Sequence, residues 1–271
     1  MSAGESLPRL VAIMRRLLGP DGCPWDREQT KESLRPFVIE EAFEVVDAID
    51  HGGASDLREE LGDLLMQVVF LAELGRAEGS FAIDDVIAGI ADKLERRHPH
   101  VFGDVKVADS GEVLRNWESI KAEEKKGRGT LEGVPVSMPA LLRAVRVGEK
   151  AARVGYDWPD AEGVRAKIDE ELRELDEAGE ERAEEELGDL LFAIASYARK
   201  RSLDPEAALR RALDRFGERF GVVERRAQAE GVRLDALDTE ELERRWQAAK
   251  AELAELAGAR LRARGRAERD S

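Results

Sequence analysis

Two copies of one acidic pattern, set at helical spacing, dominate this chain. The first reads Glu40-Glu41-x-x-Glu44 and, after a spacer, Glu60-x-x-Asp63; the second reads Glu170-Glu171-x-x-Glu174 and then Glu186-x-x-Asp189. Both include the run Glu-Leu-Gly-Asp-Leu-Leu, at 60–65 and at 186–191. Residues three or four apart share a helix face, so Glu41 and Glu44 project together from one helix and Glu60 and Asp63 from the next. In the first helix the acids are expected to lie opposite an apolar stripe of Ile39, Phe43, Val46 and Ile49. After Asp63 the second helix is apolar on nearly every side, so it is expected to be buried all round. Its only polar stripe is Glu60, Asp63 and Gln67. Buried carboxylates need a cation, a metal or a proton. Four acids converging without histidine or thiol form an all-oxygen site suited to Mg²⁺ or Mn²⁺.

An acidic helix face is most often just a solvated face. Recurrence argues otherwise here, because a glutamate pair followed by ExxD, twice ahead of an apolar helix, is hard to attribute to solubility. Composition agrees with a helical protein: 37% of the 271 residues are charged and only 5% aromatic. The formal charge of −15 argues against a sequence-independent grip on nucleic acid. It leaves room for small anionic substrates, since a bound divalent metal reverses the local sign. The lone Cys23 excludes an internal disulfide framework and fits a reducing cytosol. Neither a run of about 18 apolar residues nor a basic signal-peptide start is present, so a cytoplasmic location away from membranes is expected.

The chain divides at 126–139, where Gly and Pro break the helical period and a linker is expected. This sets a first helical domain at 1–125 and a second at 140–256, with a fraying tail at 257–271. Each half has room for four or five helices, the size of a bundle. Ahead of the first acidic pair lies Gly22-Cys-Pro-Trp-Asp26, presenting Trp25, with Gln29 and Thr30 following; ahead of the second lies Val154-Gly-Tyr-Asp-Trp158. Ser55 or Asp56 is the expected N-cap of the second acidic helix. Behind each pair comes a basic segment, with Lys93 and Arg97 in the first half and Arg215 and Arg219 in the second. Such cations often only answer a helix dipole, yet opposite four carboxylates they could hold a phosphate chain. Each half then has a Trp and a Lys four apart, Trp117 with Lys121 and Trp246 with Lys250.

These motifs, taken in order, closely resemble the MazG family of nucleoside triphosphate pyrophosphohydrolases, over essentially the whole chain up to its tail. The resemblance implies an all-α fold of two tandem helical bundles, usually a homodimer, that converts a nucleoside triphosphate and water to the monophosphate and pyrophosphate. By residue match it assigns metal binding to Glu171, Glu174, Glu186 and Asp189, and in the first half to Glu41, Glu44, Glu60 and Asp63. It assigns the nucleotide to Lys167, Glu170, Glu185, Arg215, Arg219, Trp246 and Lys250, with Lys93, Arg97, Trp117 and Lys121 in the same roles in the first half. Trp25 joins them as a candidate stacking surface. Glu40 or Glu170, uncommitted to metal, could orient or deprotonate the attacking water. The chain departs from the family pattern at Leu213 and Ala91, where Asn is expected, and at position 215, which is Arg where Lys is common. The second spacer is also short: eleven residues separate Glu174 from Glu186, against fifteen between Glu44 and Glu60. Two other classes compete. A helical interaction module would need its acids only for solubility, and a di-iron bundle needs Glu-x-x-His motifs, which His51, His98 and His100 do not form.

Overall fold

Helix-forming residues fill long stretches between Gly- and Pro-marked turns, and the computed structural model is correspondingly all-helical. It describes residues 6–124, 127 and 129–267, and no strand occurs among them. The chain forms two compact units, Met1–Lys126 and Gly127–Ser271. The first holds α1 (Ser6–Leu17), α2 (Pro24–Arg27), α3 (Arg35–Asp50), α4 (Ala54–Ala77), α5 (Ile83–Arg97), α6 (Pro99–Phe102) and α7 (Ser110–Glu124). The second holds α8 (Ala140–Arg153), α9 (Ala161–Glu177), α10 (Ala183–Lys200), α11 (Pro205–Glu230) and α12 (Thr239–Ala267). Helix α12 thus continues through the stretch expected to fray from 257, because its Ala, Leu and Arg residues favour helix; 268–271 lie outside the described residues.

In the first unit α3 packs on α4, which also meets α1 and α5. The core gathers Val11 and Met14 of α1, Leu34 just before α3, Val69, Phe70 and Ala72 of α4, and Ile83 of α5. Buried among them, Glu73 receives Arg15 Nε at 3.1 Å and Arg76 Nε at 2.6 Å. These two guanidiniums outweigh its desolvation and hold the carboxyl below its usual range. Helix α4 is capped at Gly53, whose N–H donates to Asp56 Oδ2 at 2.7 Å. Asp56 therefore works from the third helical position rather than as the N-cap itself.

One expectation is corrected here. Helix α4 is buried along only part of its surface, for Leu61, Leu65 and Val68 stay 39–48% exposed. In α3 much of the apolar stripe stands open: Ile39, Phe43 and Ile49 are exposed, while Glu41 is half-buried and meets Gln67 of α4. The apolar residues of α5, Ile87, Ile90 and Leu94, are likewise 40–48% exposed. Amphipathic period tells which residues share a face; it does not tell whether that face is covered within the same chain.

In the second unit α10 packs on α9 and α8, and α11 runs alongside α12. Asp160 caps α9 by accepting the Gly163 N–H at 2.8 Å, and Asp204 caps α11 by accepting the Ala207 N–H at 3.0 Å. The loop between α8 and α9 is tied to the end of α10 through Asp157, which accepts from Arg199 Nη1 at 3.2 Å and lies 2.7 Å from Lys200 Nζ. Arg199, with Lys200, holds the Asp157 carboxyl down to about 2 from its ordinary 3.8. An acid with a lowered folded-state pKa contributes stability that is complete above its unfolded value and lost as pH falls through the folded one. Denaturant titrations of the wild type should therefore lose stability between pH 4 and pH 2. Asp157→Asn should be less stable by about 2 kcal/mol at pH 7 and should lose that part of the acid dependence. Equal stability of the two proteins at pH 7 would contradict the assignment.

Candidate metal and nucleotide site

Helices α3 and α4 run side by side with their acidic stripes facing one another. Carboxylate oxygens of Glu41, Glu60 and Asp63 lie within 4.8 Å of each other, and all three residues are half-buried. Gln67, one turn beyond Asp63, is 5% exposed and donates from Nε2 to Glu41 Oε1 at 3.4 Å; its own Oε1 is buried without a partner. Desolvation, reinforced by Asp63 and Glu44, raises the Glu41 carboxyl above its usual range. Glu60 is raised as well, by desolvation and then by the charges of Glu44 and Asp63. Among the described residues no Lys or Arg pairs with Glu41, Glu60 or Asp63. Three close carboxylate oxygens beside an orphaned amide oxygen are a donor set that could hold a hard cation. Glu44 is exposed and acts on the group electrostatically from outside the close triad.

The second unit builds the same arrangement on α9 and α10. Glu171, Glu174 and Glu186 bring carboxylate oxygens within 4.8 Å of each other, with Glu171 and Glu186 buried and Glu174 exposed. Asp189 is exposed and lies outside this triad. Here the acids carry internal partners. Lys167 Nζ sits 2.8 Å from Glu170 Oε1 and 2.8 Å from Glu171 Oε1, and Arg182 pairs with Glu186. Glu170 is consequently held below its usual range, mainly by its hydrogen bond to Lys167, and Lys167 is raised in return. That bond keeps Glu170 ionised but weakens it as a proton acceptor. Glu171 Oε2 is buried without a partner, an open ligand position in an otherwise occupied site. The donor set in both units is oxygen only and fits Mg²⁺ or Mn²⁺.

The aromatic and basic residues gather on the later helices. Trp117 of α7 has the Arg97 guanidinium of α5 5.8 Å from its ring and Lys121 Nζ 4.4 Å away. Arg97 and Arg96 both pair with Glu124, Arg97 being the stronger influence, and together they hold that carboxyl down to about 2. In the second unit Arg219 of α11 lies 5.7 Å from the Trp246 ring of α12. Phe216 meets the same ring at 5.1 Å, and the two border a cavity of about 410 Å³. Lys93, Arg215, Glu185 and Lys250 are exposed, as is Glu40. Trp25 is 54% exposed and packs edge-on against Phe37 at 5.9 Å. Gln29 is engaged in the loop, donating to Trp25 O at 2.9 Å and accepting from Ser33 Oγ at 2.7 Å. Leu213 and Ala91, at the positions expected to hold Asn, are both exposed.

Three contributors had not been singled out from sequence. Arg182, four residues before Glu186, was legible as a helical ion-pair spacing. Phe216, four before Phe220, was legible as an aromatic pair on one face. Glu124 had no local signal, because its partners Arg96 and Arg97 lie on another helix.

Two all-α units, each with a carboxylate triad between consecutive helices and a cation-flanked tryptophan on its later helices, define a duplicated helical bundle. Residues 29–102, which carry the first triad, match the family model of the MazG nucleotide pyrophosphohydrolase domain. Over 251 residues the chain is 47% identical to the nucleoside triphosphate pyrophosphohydrolase/pyrophosphatase MazG of Thermotoga maritima, spanning 92% of this chain and 97% of that protein. It is 45% identical over 256 residues to the nucleoside triphosphate pyrophosphohydrolase of Escherichia coli K12, spanning 91% and 97%. The enzyme of that name from Mycobacterium tuberculosis is 38% identical over 154 residues, 56% of this chain and 46% of its own. The chain belongs to the MazG nucleotide pyrophosphohydrolase family, hydrolases of phosphoanhydride bonds.

Proposed function

We propose that this chain is a Mg²⁺-dependent nucleoside triphosphate pyrophosphohydrolase, releasing a nucleoside monophosphate and pyrophosphate from NTPs and dNTPs. The observation that carries the reading is the pair of oxygen-only triads, the first within the segment that matches the family model. Glu41, Glu60 and Asp63, supported by Glu44, would hold the ion in one unit; Glu171, Glu174 and Glu186, with Asp189 near by in sequence, would hold it in the other. When bound, Mg²⁺ or Mn²⁺ supplies charge neutralisation for the triphosphate and for the departing pyrophosphate. The chain's own residues do the rest. Glu40, exposed and next to Glu41 in sequence, would take the proton of the attacking water, with Glu170 its counterpart and a weaker base for its bond to Lys167. Arg97 and Lys121, or Arg219 and Lys250, supply cations for the phosphate tail beside Trp117 or Trp246. A tryptophan face stacks on any base and reads little of its edge. Leu213 and Ala91 offer no hydrogen bond to sugar or base.

Broad use of nucleotides follows, consistent with a housecleaning role on the cytoplasmic nucleotide pool. Among the described residues no helix is long and apolar enough to cross a membrane. The open apolar faces of α3, α4 and α5 support assembly as a homodimer, and the charge of −15 disfavours nucleic acid as a partner. With saturating Mg²⁺, kcat/KM across the common NTPs and dNTPs is expected to stay within about a hundredfold, since stacking discriminates weakly between bases. A single nucleotide favoured by four orders of magnitude would overturn the broad-specificity reading.

A further inference from the structure

The two triads are matched in geometry and unmatched in charge. In the second unit, two of the three carboxylates already hold a side-chain cation: Glu171 has Lys167 at 2.8 Å, and Glu186 has Arg182. Both carboxylates are almost wholly buried, with side chains 6% and 4% exposed, while their cations reach solvent, Lys167 at 33% and Arg182 at 68%. Among the described residues, the hydrogen bond that reaches the first triad from a neighbouring helix is a neutral one, Gln67 on Glu41 at 3.4 Å.

The difference is written into equivalent positions. Lys167 stands four residues before Glu171, and the residue four before Glu41 is Phe37. Arg182 stands four before Glu186, and the residue four before Glu60 is Asp56. Phe37 packs partly into the core, and Asp56 is committed to the Gly53 N–H at 2.7 Å. A cation at either place in the second unit is thus matched by an apolar or an acidic residue in the first. Arg182 lies within the shortened spacer, at the residue before α10, where its side chain makes no cap hydrogen bond and is 68% exposed. It can leave Glu186 for solvent without disturbing the core. The buried, partnerless Glu171 Oε2 marks the coordination position that these cations leave open.

We propose that Arg182, together with Lys167, is an internal counter-ion that competes with divalent metal for the second triad, so that the two units bind metal with unequal affinity and the first binds more tightly. The proposal rests on the reading of both triads as divalent-metal sites. A dication entering the second unit must displace or sit beside two monocations; entering the first it meets uncompensated carboxylates. Such a residue tunes the metal concentration at which each half becomes loaded.

The test is Mn²⁺ binding to the full chain, read from the electron paramagnetic resonance signal of free Mn²⁺ without nucleotide. Wild-type protein should show two classes of site. Glu60→Gln/Asp63→Asn should remove the tight class, and Glu171→Gln/Glu186→Gln the weak one. Arg182→Gln should tighten the weak class about tenfold by removing one nearby positive charge. Arg182→Lys should stay near wild type. Arg165→Gln breaks the exposed Arg165–Asp169 pair on the same helix as Lys167, outside the triad, and should change neither class. A single class of equal sites in the wild type overturns the proposal without any variant, as does a weak class that Arg182→Gln leaves within twofold. No Mn²⁺ binding by any form would instead overturn the metal-site reading itself, and the proposal with it.

Discussion

Chain carrying Glu60→Gln and Glu186→Gln together is expected to lose at least about a thousandfold in Mg²⁺-dependent pyrophosphate release, while its helical circular-dichroism spectrum is retained. The size of the loss follows from the metal-ligand role proposed for each carboxylate. Metal and positioned charge stabilise the developing phosphoanhydride transition state by several kcal/mol, and each 1.4 kcal/mol is about tenfold in rate. Retention of fold follows from the local electrostatics. Glu60 sits where desolvation and neighbouring acids already oppose its charge, so a neutral isostere relieves repulsion. Glu186 is buried against an exposed Arg182, and Gln can still accept from it. The single variants assign the activity to one unit or to both. A double variant that keeps wild-type turnover would remove the triads from the mechanism.

Ile90→Glu combined with Leu94→Glu should convert a dimer to a monomer in light scattering, with the dissociation constant rising on the order of a thousandfold. Both side chains lie on α5, are nearly half exposed in the single chain, and share a face with Ile87. Neighbouring α3 and α4 leave Ile39, Phe43, Leu61 and Leu65 open as well. An apolar surface spread over three helices is more than a soluble monomer normally presents to water, and a second copy would cover it at the least cost in new design. Charged side chains at its centre would be left desolvated and unpaired, a penalty of several kcal/mol. If wild type and variant have the same monomeric mass, the open faces have some other purpose.

The all-helical class, the two acidic pairs and the facing of Glu41 toward the Glu60 helix were legible in sequence, because period and spacing are properties of a single helix. The four-residue helices α2 and α6, too short to show a period, take the first unit to seven helices among the described residues, where four or five were expected. What one helix cannot encode is what covers it. Ile39 and Phe43 have the pattern of a core stripe, and in this chain they stand open while Glu41 is turned inward. Glu44 and Asp189 follow the spacing rule for their partners, yet each is exposed and outside the close triad. A shared face still leaves several ångströms of freedom to a long side chain. The charge asymmetry between units was readable in principle, in Arg182 against Asp56 and Lys167 against Phe37. It gained meaning only once Glu171 and Glu186 proved to be the buried members. Glu124 could not be found locally, since its two arginines belong to α5.

The most direct measurement is product analysis of a dNTP turned over by the 271-residue chain, with Mg²⁺ present or removed by chelator. The account predicts monophosphate and pyrophosphate in equal amounts, formed only with the metal. Orthophosphate and diphosphate as products, or the same rate in chelator, would contradict it.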